Sequence, residues 1–190
     1  MKNIPWEKIT EIASRWYVFV FLNLYGSGKI AGGQFYRRGA LPPEVAQTTL
    51  EQATAYELAW SFMGYSFYYI LFIGSAQIIG AWLLLWERSK LLGVMILLPI
   101  MVNIIVFDLI FLEVKDALVN ALLYFGMLLY ILYANRSRIA SAWWALTQRS
   151  DGMVEDRGPA RWQHWLLALL LMALVFGLDQ LLVNVVRSRG

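Results

Sequence analysis

The sequence predicts an all-α membrane protein: a transmembrane helical bundle with a four-helix core and a further C-terminal hydrophobic helix. Hydrophobic residues make up 59% of the 190-residue chain and charged residues 15%, whereas a soluble domain carries about 25% charged and about 45–50% apolar residues. The mean hydropathy is +0.55, and long apolar stretches alternate with short polar ones. Because so little charge cannot coat a water-soluble surface, we expect lipid to surround most of the chain.

Five apolar stretches approach the roughly 20 residues that a helix needs to cross the hydrocarbon of a bilayer. They are residues 16–36, 60–86, 91–112, 117–135 and 162–186. The second and the fourth contain no charged residue, whereas the third contains Asp108. We therefore predict five spans, with the alternative that the fifth stretch lies along the interface or re-enters the membrane.

The connections between the first four spans follow from proline content and length. A Leu-Pro-Pro sequence ends any helix after the first span, because proline lacks a backbone donor and restricts the residue before it. Residues 44–57, within an extramembrane segment at about 37–58, contain no Gly or Pro and predict a short helix outside the membrane. Residues 87–90 and 113–116 leave room only for tight helical hairpins.

The chain after the fourth span is predicted to form a separate region. Residues 1–138 make up the predicted bundle, and residues 139–190 an interfacial helix, a linker and the fifth hydrophobic helix. Trp143 and Trp144 favour the headgroup level of a bilayer, where amphipathic rings are enriched. The charge-, Gly- and Pro-rich residues before Trp162 predict a flexible linker.

The distribution of basic residues predicts the orientation. Lys and Arg are more frequent in the loops on the side of the N-terminus than on the opposite side. Positive charge in short loops marks the cytoplasmic face. We therefore expect a multi-pass protein of the bacterial inner (cytoplasmic) membrane with a cytoplasmic N-terminus.

Composition excludes several classes of function. The chain has no cysteine, which removes disulfides, thiol catalysis and Cys-ligated clusters. His164 is the one histidine, so we predict no metal site, no bis-histidine haem held by this chain alone and no Ser-His-acid triad. No basic cluster with interleaved aromatic residues occurs, which argues against nucleic acid as a partner. The glycine-rich stretch around Lys29 follows no strand, so it does not predict a phosphate-binding loop.

Two ionisable residues inside the predicted spans are candidates for function, because a charge within the bilayer costs about 2.5–3.5 kcal/mol even on the mildest scale. Asp108 lies about one to one and a half helical turns from the end of its span. It either reaches the interface and fixes packing, or carries a proton or anchors a ligand. Lys29 lies at a similar depth, and a Lys29–Asp108 pair would offset the desolvation of both groups. Asp179 is expected to cap the last helix at the outer interface.

Neutral polar residues give a second set of candidates. Gln77 lies between Gly74 and Ala81 on one helix face, a composition typical of helix–helix contacts in lipid. Asn103 is expected to form an interhelical hydrogen bond or to contact a ligand, and Asn23 and Asn120 allow the same two interpretations. The glycines at 26, 28, 32 and 33 allow close approach of a helix or a headgroup, or a bend.

Three stretches resemble the DoxX-like family of small membrane proteins. They are YGSGK in the first span, IGSAQIIGAWLLLWERSKLLGVMILLPIMVNIIVFDLIF across the second and third, and VKDALVNALLYFGMLLYILYANRSRI in the fourth. The resemblance covers about residues 10–138 and implies a four-helix bundle in which Lys29, Gln77, Asn103 and Asp108 face one cavity. The chain departs from the family at Gln77, where a glutamate is usual, and in its additional C-terminal segment.

Two functions remain open at this point. The first is a small accessory subunit of a bacterial membrane complex, respiratory or otherwise redox-linked, that packs against larger subunits and contacts quinone or lipid. Some DoxX-like proteins are subunits of this kind, and the chain has no self-sufficient redox group. The alternative is a stand-alone enzyme or carrier for a small lipophilic molecule, with Asp108 and Lys29 at its site. An ion channel ranks below both, because no ring of like charges or repeated filter sequence occurs.

Overall fold

The computed structural model describes residues 5–112, 115–147 and 162–189, and every regular element in these ranges is a helix, as predicted. The helices are α1 (Trp6–Ala31), α2 (Pro43–Gln47), α3 (Ala55–Gly64), α4 (Phe67–Leu83), α5 (Lys90–Phe111), α6 (Asp116–Ala134), α7 (Arg136–Thr147) and α8 (Trp162–Arg189). The chain forms two compact units, Met1–Trp143 and Trp144–Gly190. The predicted linker falls largely outside the described residues.

Four long helices form the body of the first unit. Helices α1 and α5 each contact both α4 and α6, and the short α3 contacts α4 and α5. The core between them is apolar and fully buried, with Val18 and Leu22 from α1, Leu97 from α5 and Leu128 from α6. Every long helix thus has one apolar face turned toward its neighbours and an opposite apolar face left for lipid.

Several helices are suited to a membrane. Among the described helices, α5 and α6 are long and apolar enough to cross one, and α3 with α4 would add a third span bent by 90°. In α8 the apolar stretch Trp165–Leu181 is shorter. The chain is therefore a membrane protein with several apolar helices, whereas the five-span topology and its orientation stay predictions.

The first predicted span, residues 16–36, and the observed helix α1 differ at both ends. Helix α1 begins at Trp6, because two ionisable residues of its first turns are buried against other helices, as described below. It ends at Ala31, where Gly32 adopts the left-handed conformation (φ 100°) that favours glycine. The amides of Gly32 and Gly33 donate to carbonyls of the last helical turn, which closes the helix in a Schellman motif.

The predicted second span is not one helix. The chain turns by 90° between α3 and α4, with Ser66 in an extended conformation (φ −120°, ψ 123°). At the end of α3, Gly64 lies directly against the backbone carbonyl of Tyr36, so that a Cβ at this position would collide with it. Apolar residues flank the bend on both sides, and hydropathy alone therefore cannot reveal it.

The predicted extramembrane helix at 44–57 is also wrong in extent. Helix α2 is a single short turn, and the chain is extended at Thr48 (φ −75°, ψ 132°). Helix α3 then starts with a capping box, in which the Glu57 amide donates to Thr54 Oγ1 at 3.2 Å and the Thr54 amide donates to Glu57 Oε2 at 2.8 Å. The third and fourth predicted spans, by contrast, agree with α5 and α6 to within one residue at each end.

A charge cluster of Glu11, Arg15, Glu87 and Lys90 joins the helices at the end where α1 and α5 begin. The Lys90 ammonium lies 2.6 Å from Glu11 Oε1 and 2.8 Å from Glu87 Oε2, and Arg15 Nη1 lies 2.6 Å from Glu87 Oε1. Glu11, Arg15 and Lys90 are buried, at 7%, 5% and 3% exposure. Two acids and two bases together leave the cluster neutral, which is how a buried charge is tolerated.

Hydrogen bonds extend the charge cluster to two more helices. Arg15 donates to the carbonyls of Leu84 and Leu85, both at 2.6 Å, and so satisfies acceptors at the end of α4 that lack a helical partner. Asn135, at the end of α6, donates to Glu11 Oε1 at 3.1 Å and to the Ile131 carbonyl at 2.8 Å. The sequence suggested only a surplus of cytoplasmic basic residues here and gave no indication that these charges meet.

The charge cluster predicts an acid-dependent loss of stability. Hydrogen bonds from Lys90 and Arg15 lower the pKa of Glu87 from 4.5 to about 2. A carboxyl whose pKa is lowered on folding contributes stability above its unfolded pKa, and that contribution disappears as the pH falls through the folded pKa. Glu87→Gln should therefore flatten the decline in melting temperature between pH 4.5 and about 2. Equal slopes for the variant and the wild type would contradict this assignment.

Candidate ligand cavity

A cavity of about 640 Å³ lies in the half of the bundle away from the charge cluster. Its wall includes residues of α1, α3, α4, α5 and α6, and its volume falls in the range of about 300–1,000 Å³ that is usual for small-molecule sites. Aromatic rings make up much of the wall: Tyr25, Phe35, Tyr56, Trp60, Tyr69, Phe72, Phe107 and Tyr124. Such a surface suits an apolar or amphiphilic molecule.

The four polar residues that the family resemblance placed at one cavity all line this cavity. Lys29 comes from α1, Gln77 from α4, and Asn103 and Asp108 from α5. Lys29 and Asp108 are each 7% exposed and Gln77 is 2% exposed, whereas Asn103 is exposed. The structure thus brings the four side chains to one space, while their role in binding stays a prediction.

Lys29 and Gln77 meet because α1 and α4 approach closely. A Cβ built on Gly26 would lie 3.1 Å from the carbonyl oxygen of Gly74, and a Cβ built on Gly74 would lie 3.1 Å from the carbonyl oxygen of Gly26. Small residues at such crossings let helix backbones come together. One turn farther along each helix, the Lys29 ammonium donates to Gln77 Oε1 at 3.2 Å.

Lys29 and Asp108, which the sequence offered as possible ion-pair partners, do not form a direct salt bridge. The two charges are close enough to interact electrostatically, but Lys29 bonds to Gln77 instead, and its ammonium also lies 5.9 Å from the centroid of the Tyr25 ring. The carboxylate of Asp108 forms no hydrogen bond or ion pair with any other residue in the ranges that the structure describes, and its backbone carbonyl accepts from the Leu112 amide. Both charged groups therefore border the cavity without a direct ion pair between them.

The asparagines differ in what they contact. Asn120, which is half-buried, lines the cavity from α6. Asn23 donates to the Phe19 carbonyl of its own helix at 2.7 Å, so the expected interhelical bond is not formed there. Asn103 and Phe72 both line the cavity and are also exposed, Phe72 at 70%. These two residues therefore belong to both the cavity wall and the outer surface of the bundle.

An aromatic cover over the cavity is the main feature that the sequence did not reveal. Trp60 is 7% exposed and packs on Tyr56 (centroids 4.2 Å apart), Phe35 (5.7 Å) and Phe107 (5.8 Å). The sequence places Trp60 only at the start of the apolar stretch 60–86. The spacing of Tyr56 and Trp60, four residues apart, would indicate one helix face, but only once α3 is recognised as a separate helix.

Two further predictions concern the C-terminal region. Asp179 does not cap the last helix: α8 continues to Arg189, and Asp179 lies exposed within it, accepting a hydrogen bond from Gln180 at 3.4 Å. His164 lies outside the described side chains. In the part of the chain that the structure describes, no three or more His, Asp or Glu residues lie together in a metal-binding arrangement.

Comparison with known proteins places the chain in a different family from the one that its motifs resembled. The model of the STIMATE family matches residues 10–115, which include most of α1, all of α2 to α5, and Lys29, Gln77, Asn103 and Asp108. The DoxX-like resemblance is therefore wrong. Its motifs consisted of apolar runs, glycines and a short basic turn, which unrelated membrane bundles share for the same packing reasons.

A curated bacterial protein is similar to part of the chain. The uncharacterized protein YwoB of Bacillus subtilis (strain 168) is 40% identical over 85 residues. The aligned region makes up 45% of this chain and 51% of YwoB, so the match spans about half the length of that relative. No solved structure matches the chain.

Proposed function

The chain belongs to the STIMATE family, and from that premise we propose that it is a membrane-embedded binding protein and carrier for a small lipophilic molecule. The cavity carries this proposal. It combines a predominantly aromatic and apolar wall with buried polar groups contributed by three different helices. A small-molecule site usually consists of an apolar pocket with a few convergent polar groups.

We infer that the cavity opens laterally at Phe72 and Asn103, so that the ligand enters from the bilayer. Phe72 and Asn103 belong to both the cavity wall and the outer surface of α4 and α5. A lipophilic molecule could pass between these helices without entering water. Transfer of its apolar part from lipid to an aromatic pocket changes its solvation little, so the polar groups of the cavity would determine selectivity.

The proposal includes a topology. Helices α1, α4, α5 and α6 would cross the bacterial inner membrane, with α8 as a fifth span. Helix α3, turned by 90° from α4, would lie across the outer end of the bundle. A cytoplasmic N-terminus would place the charge cluster on the cytoplasmic side and the cavity in the outer half. The basic loops and the position of the aromatic cover support this arrangement.

Filling the cavity should abolish binding. Ala76 lines the cavity from α4, so Ala76→Trp would place an indole in the space that the ligand occupies. We expect a photoreactive diazirine fatty-acyl probe to label cavity residues of the wild type in native membranes. In the variant the labelling should fall by about tenfold or more, the equivalent of about 1.4 kcal/mol or more.

The matched control is Ile79→Trp. Ile79 lies on the same helix, outside the cavity wall, and is 55% exposed on the surface assigned to lipid. This variant adds the same ring to the same helix and should leave the labelling unchanged. Equal labelling of cavity residues in Ala76→Trp and in the wild type would refute the proposal.

An accessory subunit of a bacterial membrane complex is the second candidate. Its support is Asp179, an exposed carboxylate within the apolar α8 whose described polar contact is the neighbouring Gln180. A carboxylate in the middle of a lipid-facing helix is costly, and a basic residue of another subunit would offset that cost. The accessory role, its link to redox chemistry and contact with a quinone remain predictions. Co-purification of stoichiometric partner subunits that Asp179→Asn releases would favour this candidate.

A further inference from the structure

We propose that the cavity selects an amphiphile with a zwitterionic head group, whose anionic part binds Lys29 and whose cationic part binds Asp108. This inference rests on the proposed function and specifies the chemical class of the ligand. It depends on the placement of two opposite charges around one space. Neither the family assignment nor the sequence distinguishes a zwitterion from a neutral or singly charged molecule.

The first observation is that two buried charges face the cavity without pairing. Lys29 and Asp108 are each 7% exposed and both line the cavity. The carboxylate of Asp108 has no hydrogen-bond partner among the described residues. Lys29 donates to Gln77 at 3.2 Å, which occupies one of the three donors of its ammonium group. Each charged group thus retains unused capacity toward the cavity.

The second step is energetic. A buried charge without a counter-charge is costly, and the cost is offset only by close pairing and hydrogen bonds. An anionic ligand would pair with Lys29 but would be repelled by Asp108. A cationic ligand would pair with Asp108 but would be repelled by Lys29. A zwitterion pairs both groups and keeps the filled site neutral. Charge complementarity of this kind gives selectivity more than raw affinity.

The aromatic cover favours a quaternary ammonium as the cationic part. Phe107, the neighbour of Asp108 in α5, contacts Trp60, which stacks on Tyr56. Cations bind over the faces of aromatic rings, and best over tryptophan. A trialkylammonium group can therefore lie against this cover while its charge faces the Asp108 carboxylate.

Three single-chain probes test the head-group selectivity directly. They carry the same dodecyl chain: dodecylphosphocholine, dodecyl phosphate and dodecyltrimethylammonium. The full chain would be purified in dodecyl maltoside, whose head group is uncharged, and bound probe would be counted by native mass spectrometry. We expect the zwitterionic probe to bind about ten- to a hundredfold more tightly than either ionic probe, which corresponds to the loss of one charged hydrogen bond.

Two charge variants separate recognition from folding. Asp108→Asn should lose the preference for dodecylphosphocholine and bind the phosphate probe best, whereas Lys29→Gln should come to prefer the ammonium probe. If either residue had a purely structural role, its replacement would weaken the binding of all three probes alike. The matched control is Asp116→Asn, because Asp116 is an exposed carboxylate at the same end of the bundle that does not line the cavity.

The outcomes distinguish this inference from the proposed function. If the three probes bind equally well, and the charge variants do not change their order, the zwitterion inference is overturned while the carrier proposal stands. If no probe binds, the carrier proposal fails as well. Phosphocholine without a chain should bind much more weakly than the dodecyl compound. Equal binding would mean a small polar zwitterion as ligand, which overturns the lipophilic part of the proposed function.

Discussion

Replacing Glu11 with glutamine is expected to lower the free energy of unfolding by about 3–5 kcal/mol, the usual effect of breaking a buried ion pair. Glu11 Oε1 lies 2.6 Å from the Lys90 ammonium and accepts a hydrogen bond from Asn135 at 3.1 Å, and its carboxylate is 3.8 Å from Arg15 Nη1. The amide would leave two buried cations with only the largely exposed Glu87 as a counter-charge. Thermal unfolding of the purified protein in detergent measures the effect.

The same helix offers a control for this variant. Glu7 lies one turn before Glu11 and pairs with Arg136 at 3.1 Å, but both side chains are more than half exposed. Exposed ion pairs contribute about 0–1 kcal/mol, so Glu7→Gln should change the stability by no more than that. Similar melting temperatures for the two variants would show that burial of the charge cluster does not stabilise the bundle.

Replacing Gly64 with alanine should detach α3 from the loop that precedes it and open the aromatic cover. The added methyl group would collide with the carbonyl of Tyr36. Because the obstacle is backbone and not a flexible side chain, the segment must move, which costs about 1–3 kcal/mol or more for an over-packed site. Trp60, one turn earlier in α3, would lose its contacts with Phe35 and Phe107. We expect amphiphile binding to fall by about tenfold or more.

Gly126 provides the comparison for this variant. It lies within α6, and a Cβ there would have no atom within 4 Å. Alanine is favoured over glycine inside a helix by about 0.5–1 kcal/mol, so Gly126→Ala should be neutral or slightly stabilising and should retain binding. Dodecylphosphocholine binding and melting temperature, measured on both variants, provide the test. Unchanged binding in Gly64→Ala would mean that the aromatic cover does not close the ligand site.

Hydropathy predicted the helices that consist of one uninterrupted apolar run. It failed where contacts between distant residues determine where a helix starts or bends. The predicted third and fourth spans agree with α5 and α6 because each of these helices is one apolar run between polar turns. The start of α1 was missed because Glu11 and Arg15 look like a soluble segment until their partners on other helices are known. The bend after α3 was missed because it depends on a steric contact between Gly64 and Tyr36, and such long-range packing leaves no local signal.

The sequence identified candidate residues for the site but not the contacts between them. Polar residues within spans are expensive, and that cost made Lys29, Gln77, Asn103 and Asp108 candidates, whereas their placement around one cavity was implied only by the family resemblance. Which of them meet depends on helix rotation, and the contact between Gly26 and Gly74 sets the rotation of α1 against α4. It turns Lys29 toward Gln77, and the carboxylate of Asp108 has no hydrogen-bond partner among the described residues.

The most direct test of a ligand-binding cavity is native mass spectrometry of the protein extracted from its own membrane in polymer nanodiscs, without added lipid or detergent. We expect a chain that carries one amphiphilic molecule in stoichiometric amount, absent from Ala76→Trp and retained in Ile79→Trp. A chain that carries no small molecule, or the same one in both variants, would refute a ligand-binding cavity. Partner subunits in fixed ratio without a bound molecule would instead support the accessory-subunit hypothesis.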